Sequence, residues 1–195
     1  MCVYCASSAQ ADSAYREAAW RLGTLLAAQG VTIVYGGGRL GSMGALADGA
    51  LEGGGHVIGI LPRFMREMEW AHDRLSELRL VEDMRERKHQ LLTGSDAVIA
   101  LPDGSGTLEE LFEAITLKRL GLYVNPIVLV NTRGFFDPCV DLLTRCIDER
   151  FMDPRHAAMW NVVDEPEQAL DAIRAAAPWS PDARGFAVLA SGSGG

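Results

Sequence analysis

A chain of 195 residues with 48% apolar content is the size of one domain and carries enough apolar side chains to fill a core. Its net charge of −8, from 18 basic and 26 acidic residues, argues against non-specific binding to nucleic acid or to an anionic membrane. No run of about 18 apolar residues marks a transmembrane helix, and MCVYCASS lacks the basic start and long apolar stretch of a signal peptide, so a cytoplasmic protein is expected.

Short Val- and Ile-rich runs alternate with helical patterns along the chain. The opening CVYC is the first expected strand and contains a C-x-x-C, Cys2 and Cys5. A zinc site needs two more ligands, and Cys139 and Cys146 lie far away on an expected helix, so the cysteines read as reduced core residues and no metal is expected. Residues 12–29 read as a helix, with Asp12 as N-cap and Gly30 just past the end. Further strands are expected at 31–36, 56–61, 78–81, 96–102, 126–131 and 160–163, each short, continuous and bounded by Gly, Pro or Asp. Helices are expected over about 42–53, 84–93, 107–120, 135–150 and 166–176. The alternation predicts an α/β fold, a mostly parallel central sheet with helices on both faces, in one nucleotide-binding domain over residues 1–177. Residues 178–195, ending ASGSGG, read as a flexible tail.

Ligands of such sheets bind at the carboxyl ends of the strands, and two of the turns there are rich in glycine. VYGGGRLGSMG follows the second strand, and Gly36, Gly38 and Gly41 satisfy G-x-G-x-x-G. No acid ends the next strand to hold a ribose, which counts against a dehydrogenase and leaves two readings: a turn packed tightly on its helix, or a backbone that a nucleotide approaches closely. The second turn is PDGSGT, residues 102–107, between a strand and an amphipathic helix. Free N–H groups at a helix start, with the Ser105 and Thr107 hydroxyls, make an anion site, and the missing Walker lysine separates it from the nucleotide triphosphatases. Thr107 and Glu110 also have the spacing of a capping box. Asp103 places a carboxylate inside this turn, and an Asx-type bond to the amides near Ser105 and Gly106 is the expected way to turn it from an anion. Between the two turns, Arg85, Arg87 and Lys88 put cations at a helix start, against the macrodipole, where they either face an anion or line a solvated face.

Together these stretches resemble the Lonely Guy (LOG) family of phosphoribohydrolases. P-G-G-x-G-T-x-x-E matches Pro102 to Glu110 with Asp103 in place of the first glycine, M-x-x-R-K matches Met84, Arg87 and Lys88, and Y-G-G-G-x-x-G-L-M-G matches Tyr35 to Gly44 with Ser42 in place of Leu. CVYCASS resembles the family's first strand and serine-bearing turn, which includes Ser7, and the likeness covers roughly residues 1–165. The resemblance implies a Rossmann-like fold, a homodimer, no cofactor, and hydrolysis of the N-glycosidic bond of a purine nucleoside 5′-monophosphate, AMP or an N6-modified AMP, to free base and ribose 5-phosphate. It implies Arg87 and Glu110 as the catalytic pair, with Glu69, Lys88, Gly104, Ser105, Gly106, Thr107, Leu108, Glu109 and Thr116 binding the nucleotide beside Gly36, Gly37, Gly38, Gly41 and Ser7. A carboxylate at Glu110 suits this chemistry because cleavage builds positive charge on the ribose. Arg87 stays protonated, so it is expected to anchor substrate and hold Glu110 ionised. The alternative of another class is a non-catalytic binder of nucleotide or molybdenum cofactor built on the same fold.

Overall fold

The computed structural model describes residues 1–68 and 70–189. Seven strands, β1 (Cys2–Tyr4), β2 (Ile33–Tyr35), β3 (Val57–Pro62), β4 (Glu77–Val81), β5 (Val98–Ala100), β6 (Ile127–Val130) and β7 (Asn161–Val163), form one sheet in the order β4-β3-β2-β1-β5-β6-β7. Every pairing is parallel, as the strand–helix alternation predicts. The helices are α1 (Ser13–Ala28), α2 (Gly41–Glu52), α3 (Arg63–Glu67), α4 (Met84–Leu92), α5 (Ser105–Arg119), α6 (Asp137–Asp148) and α7 (Ala169–Ala175). Only α3, five residues long, is absent from the sequence expectation. No described helix is long and apolar enough to cross a membrane.

The period-2 alternation of strand side chains divides the core in two. Cys2, Tyr4, Val98, Ala100, Ile127 and Leu129 face one side, under α4, α5 and α6 through Leu91, Leu111, Ala114, Ile115 and Leu143. Val3, Cys5, Ile99, Leu101, Val128 and Val130 face the other, under α1, α2 and α7 through Leu22, Leu26, Leu46, Ala50 and Leu170. Cys2 and Cys5 therefore lie on opposite faces, both fully buried and free, so C-x-x-C is a core pattern here. Burial pushes the Cys2 thiol up to about 12, which leaves it an inert apolar group. Asp12 caps α1 by accepting from the Ala14 amide, and Gly30 takes the left-handed conformation after its end.

β1 lies between β2 and β5, so strand order reverses there and the carboxyl ends open a crevice between the turns after β1, β2 and β5. This topology is Rossmann-like. Beyond the last helix, part of the stretch expected as a tail is packed against the domain. A short 3-10 helix, Pro181–Phe186, docks on the end of α5. Trp179 Nε1 donates to Lys118 O at 2.8 Å, and the Arg119 guanidinium donates twice to Ala187 O, at 2.9 and 2.6 Å. Trp179, Phe186 and His156 stack with centroids 5.2–6.3 Å apart, so two aromatics supply the apolar anchor that a free tail lacks. Residues 190–195 of the expected tail lie outside the described residues.

Candidate active site

Arg87 reaches into the crevice from the first turn of α4. Asp83 caps that helix, accepting from the amides of Arg85 and Glu86, and Glu86 adds a second carboxylate, so the cations at this helix start are offset locally. The three cations then part company. Arg85 points to solvent, Lys88 pairs with Glu109 and, at 3.1 Å, with Glu113, and Arg87 is buried. The Arg87 guanidinium makes three bonds: Nε to Ile60 O at 3.2 Å, Nη2 to Gly36 O at 3.4 Å and Nη1 to Glu110 Oε1 at 3.2 Å. One side chain thus ties the ends of β2 and β3 to α5.

Glu110 is 7% exposed, and burial raises its carboxyl to about 7. Arg87 opposes the shift, while the neighbouring Glu109 and Asp103 charges add to it. Arg87 thus favours the ionised form of Glu110, as expected of it, and burial of the carboxyl works against it. A carboxyl that titrates near neutrality can both take and return a proton.

The turn after β5 differs from the sequence reading in one respect. α5 begins at Ser105 with Gly104 as N-cap, so Thr107 and Glu110 do not form a capping box. Thr107 Oγ1 instead donates to Asp103 Oδ2 at 2.9 Å. Asp103 therefore braces the turn through the Thr107 hydroxyl, not through the amides near Ser105 and Gly106. With no side-chain cap, the first-turn amides stay open, and Gly104, Ser105 and Gly106 are exposed. A Cβ at Gly104 or Gly106 would meet nothing within 4 Å, so space lies beside these amides. An anion seated there would meet N–H groups and the positive end of the helix.

The other glycine turn proves to be packed on three sides, and Gly36, Gly37 and Gly38 are buried. A Cβ at Gly36 would lie 2.2 Å from Arg87 Nη2, and at Gly41, whose φ is +61°, it would lie 2.6 Å from Ser8 O. Gly37 O and the Arg39 amide pair with His72 N and Trp70 O. The turn is tightly packed, and Gly36 makes room for Arg87. The turn thereby shapes one wall of the site.

The structure brings Arg87, Lys88, Glu109 and Glu110 together across α4 and α5, with the 104–107 turn at the start of the same helix. Leu108 is half-buried behind that turn, and Ser7 is exposed on the loop after β1, beside the crevice. Thr116 is exposed and six residues along α5 from Glu110, about 9 Å at the helical rise. It touches neither member of the pair. Glu69 lies outside the described residues. The Ile60 carbonyl, which accepts from Arg87, was not legible in the sequence, because a backbone acceptor carries no residue signature.

Comparison with known proteins places this geometry in context. A family model described as "Possible lysine decarboxylase" matches residues 43–173. Cytokinin riboside 5′-monophosphate phosphoribohydrolase LOG1 of Arabidopsis thaliana is 40% identical over 154 residues, which is 79% of this chain and 72% of that one. Cytokinin riboside 5′-monophosphate phosphoribohydrolase LOG of Oryza sativa subsp. japonica is 41% identical over 152 residues, 78% of this chain and 63% of that one. Among solved structures, the molybdenum cofactor carrier protein of Chlamydomonas reinhardtii superposes with a TM-score of 0.69 at 24% identity, covering 88% of this chain and 93% of its own.

Proposed function

The chain belongs to the LOG family, and from that premise we propose that it hydrolyses the N-glycosidic bond of a purine nucleoside 5′-monophosphate, AMP or an N6-modified AMP such as a cytokinin nucleotide, to free base and ribose 5-phosphate. The observation that carries this reading is the buried Arg87–Glu110 pair on the helix whose first-turn amides are open. Ser105 and Glu110 are five residues apart on α5, about 7.5 Å, a span comparable to a ribose 5-phosphate. Phosphate at the amides of Ser105, Gly106 and Thr107 sets the anomeric carbon near Glu110.

In this reading Glu110 performs the chemistry. Its ionised carboxylate stabilises the positive charge that grows on the ribose and orients the attacking water. The proton lost by that water moves to Glu110, whose titration near 7 lets it pass the proton on to the departing base. Arg87 stays charged throughout, holds Glu110 by Nη1, and binds the carbonyls of Ile60 and Gly36 so that the carboxyl cannot swing. Lys88 pairs with Glu109 and Glu113 on the neighbouring helix and offsets part of their charge. No step requires a metal ion or cofactor.

A homodimer is part of the proposal. Met84 at the start of α4, at 38% exposure, and Leu122 just past the end of α5, at 62%, are exposed apolar side chains that a second copy could cover. Light scattering on the purified protein tests it. The alternative of a non-catalytic binder draws on likeness of fold, and a carrier has no need of a buried carboxyl poised near neutrality. Release of ribose 5-phosphate from AMP and from an N6-prenylated AMP decides between them: release supports the hydrolase, and tight binding without release supports the carrier.

A further inference from the structure

Asp103 stands where the proposed phosphate approaches, and its charge is unmatched. Oδ2 accepts from Thr107 Oγ1, and among the described residues no cation pairs with the carboxylate. The charged and titratable groups around it come from three elements. The turn's own helix contributes Glu109 and Glu110, α4 contributes Arg87 and Lys88, and the loop after β1 contributes the Cys5 thiol. Both cations are already engaged by carboxylates, so the ground-state field at the open amides mixes helix-dipole attraction with carboxylate repulsion.

A phosphate monoester is a dianion above its second ionisation, near pH 6, and a monoanion below it. The dianion has acceptors only and can meet the Asp103 carboxylate only by repulsion. The monoanion carries one P–O–H, which can donate to Asp103 while its other oxygens accept from the amides of Ser105, Gly106 and Thr107. We infer, on the footing of the nucleotide reading above, that Asp103 is a specificity-determining residue that selects the singly charged 5′-phosphate, so that nucleotide affinity rises as pH falls through the phosphate's second ionisation. Thr107 Oγ1 donates to Oδ2, and among the described residues nothing donates to Oδ1, which is the oxygen left to take the phosphate proton. One proton is shared between phosphate and Asp103, and no bond is made or broken.

The test uses Glu110→Gln protein, which prevents turnover and removes the titration of Glu110 itself. Dissociation constants for AMP are measured by calorimetry from pH 5.5 to 8, with adenosine, which lacks the phosphate, as the reference for titrations elsewhere. AMP affinity is expected to weaken at least about tenfold over this range, while adenosine changes little; exclusive binding of the monoanion would give roughly 80-fold for an ionisation near 6. In Glu110→Gln/Asp103→Asn the amide still accepts from Thr107 and can donate to a dianion, so the dependence should fall below about threefold. A pH dependence that persists in the double variant, or a flat profile in the single variant, overturns the role of Asp103. AMP that binds no better than adenosine at any pH overturns the nucleotide reading itself, and the inference with it.

Discussion

Arg87 Nη1 lies 3.2 Å from Glu110 Oε1, both side chains are 8% exposed, and Glu110 still titrates near 7. A buried ion pair of ideal geometry would drive a carboxyl down; here the pair shares one contact, and the guanidinium's other donors are spent on backbone. The arrangement favours a carboxyl available for proton transfer over one locked as an anion.

Glu110→Gln is expected to reduce turnover by about 100- to 1000-fold with nucleotide binding retained, measured by ribose 5-phosphate release and by calorimetry. It should also stabilise the fold in a defined pH window. The folded carboxyl titrates near 7 and the unfolded one near 4.5, so the cost of burying the anion grows as pH rises between these values and is complete above 7. The variant's melting temperature should exceed the parent's at pH 8, by an amount corresponding to about 3 kcal/mol, and match it at pH 4. Equal melting temperatures at pH 8 would remove the burial argument.

Arg87→Lys keeps the charge and loses the fork. An ammonium cannot reach Ile60 O, Gly36 O and Glu110 in one geometry, and each buried acceptor left unpaired costs about 1–3 kcal/mol. The variant should melt several degrees lower and lose at least about tenfold in kcat. Parent-like kinetics would assign Arg87 a purely electrostatic role.

Two glycine substitutions separate packing from binding. Gly36→Ala drives a Cβ to 2.2 Å from Arg87 Nη2 and should cost turnover by displacing the guanidinium. Gly106→Ala enters open space and should leave the melting temperature within about 1 °C, since an alanine within the first helical turn is favourable. Any loss it causes should appear in KM, where an added methyl crowds the phosphate. An unaffected Gly36→Ala enzyme would show that Arg87 can act from another position.

Lys118 is 1% exposed, donates to Asn125 O at 2.7 Å, and is lowered to about 8 by burial without a carboxylate beside it. The unfolded chain holds the proton up to 10.5, so the penalty builds as pH falls from 10.5 to 8 and is complete below 8. Lys118→Met should therefore raise thermal stability at pH 7, with the gain fading as pH approaches 10.5. Scanning calorimetry at pH 7 and pH 10 reads the difference, and a gain that is the same at both would exclude titration as its source.

The five inner strands were legible because each is a short, mainly buried run bounded by turn residues, and a strand covered on both faces needs no alternating pattern; the edge strands β4 and β7 are more exposed and were legible from their Val and Leu content. The stretches that carry Arg87 and Glu110, and the glycine turns, were legible as motifs, because each motif is a short local run of sequence. What was not legible depends on residues far apart in the chain. The purpose of Gly36 is set by Arg87, 51 residues away. The Glu110 titration follows from burial contributed by several elements. Thr107 was misread because local spacing fits a capping box, and the competing partner, Asp103, draws the hydroxyl toward the turn before the helix. Trp179 and Phe186 stand in a stretch rich in Pro and small residues, where composition outweighed two anchoring aromatics.

The central position of β1 has a consequence in time. Cys2 pairs with Val34 on one side and with Val98 on the other, so the strand nearest the start of the sequence has one open edge until β5 exists. During synthesis at about 5–20 residues per second, that edge waits several seconds for its partner. Pairing over such separations is slow compared with helix formation. Because β5 leads directly into the 102–107 turn, the strand that closes the second edge of β1 also carries Glu110 toward Arg87. β6 and β7 come later in the chain, so both sides of the crevice are synthesised before the last two strands of the sheet exist.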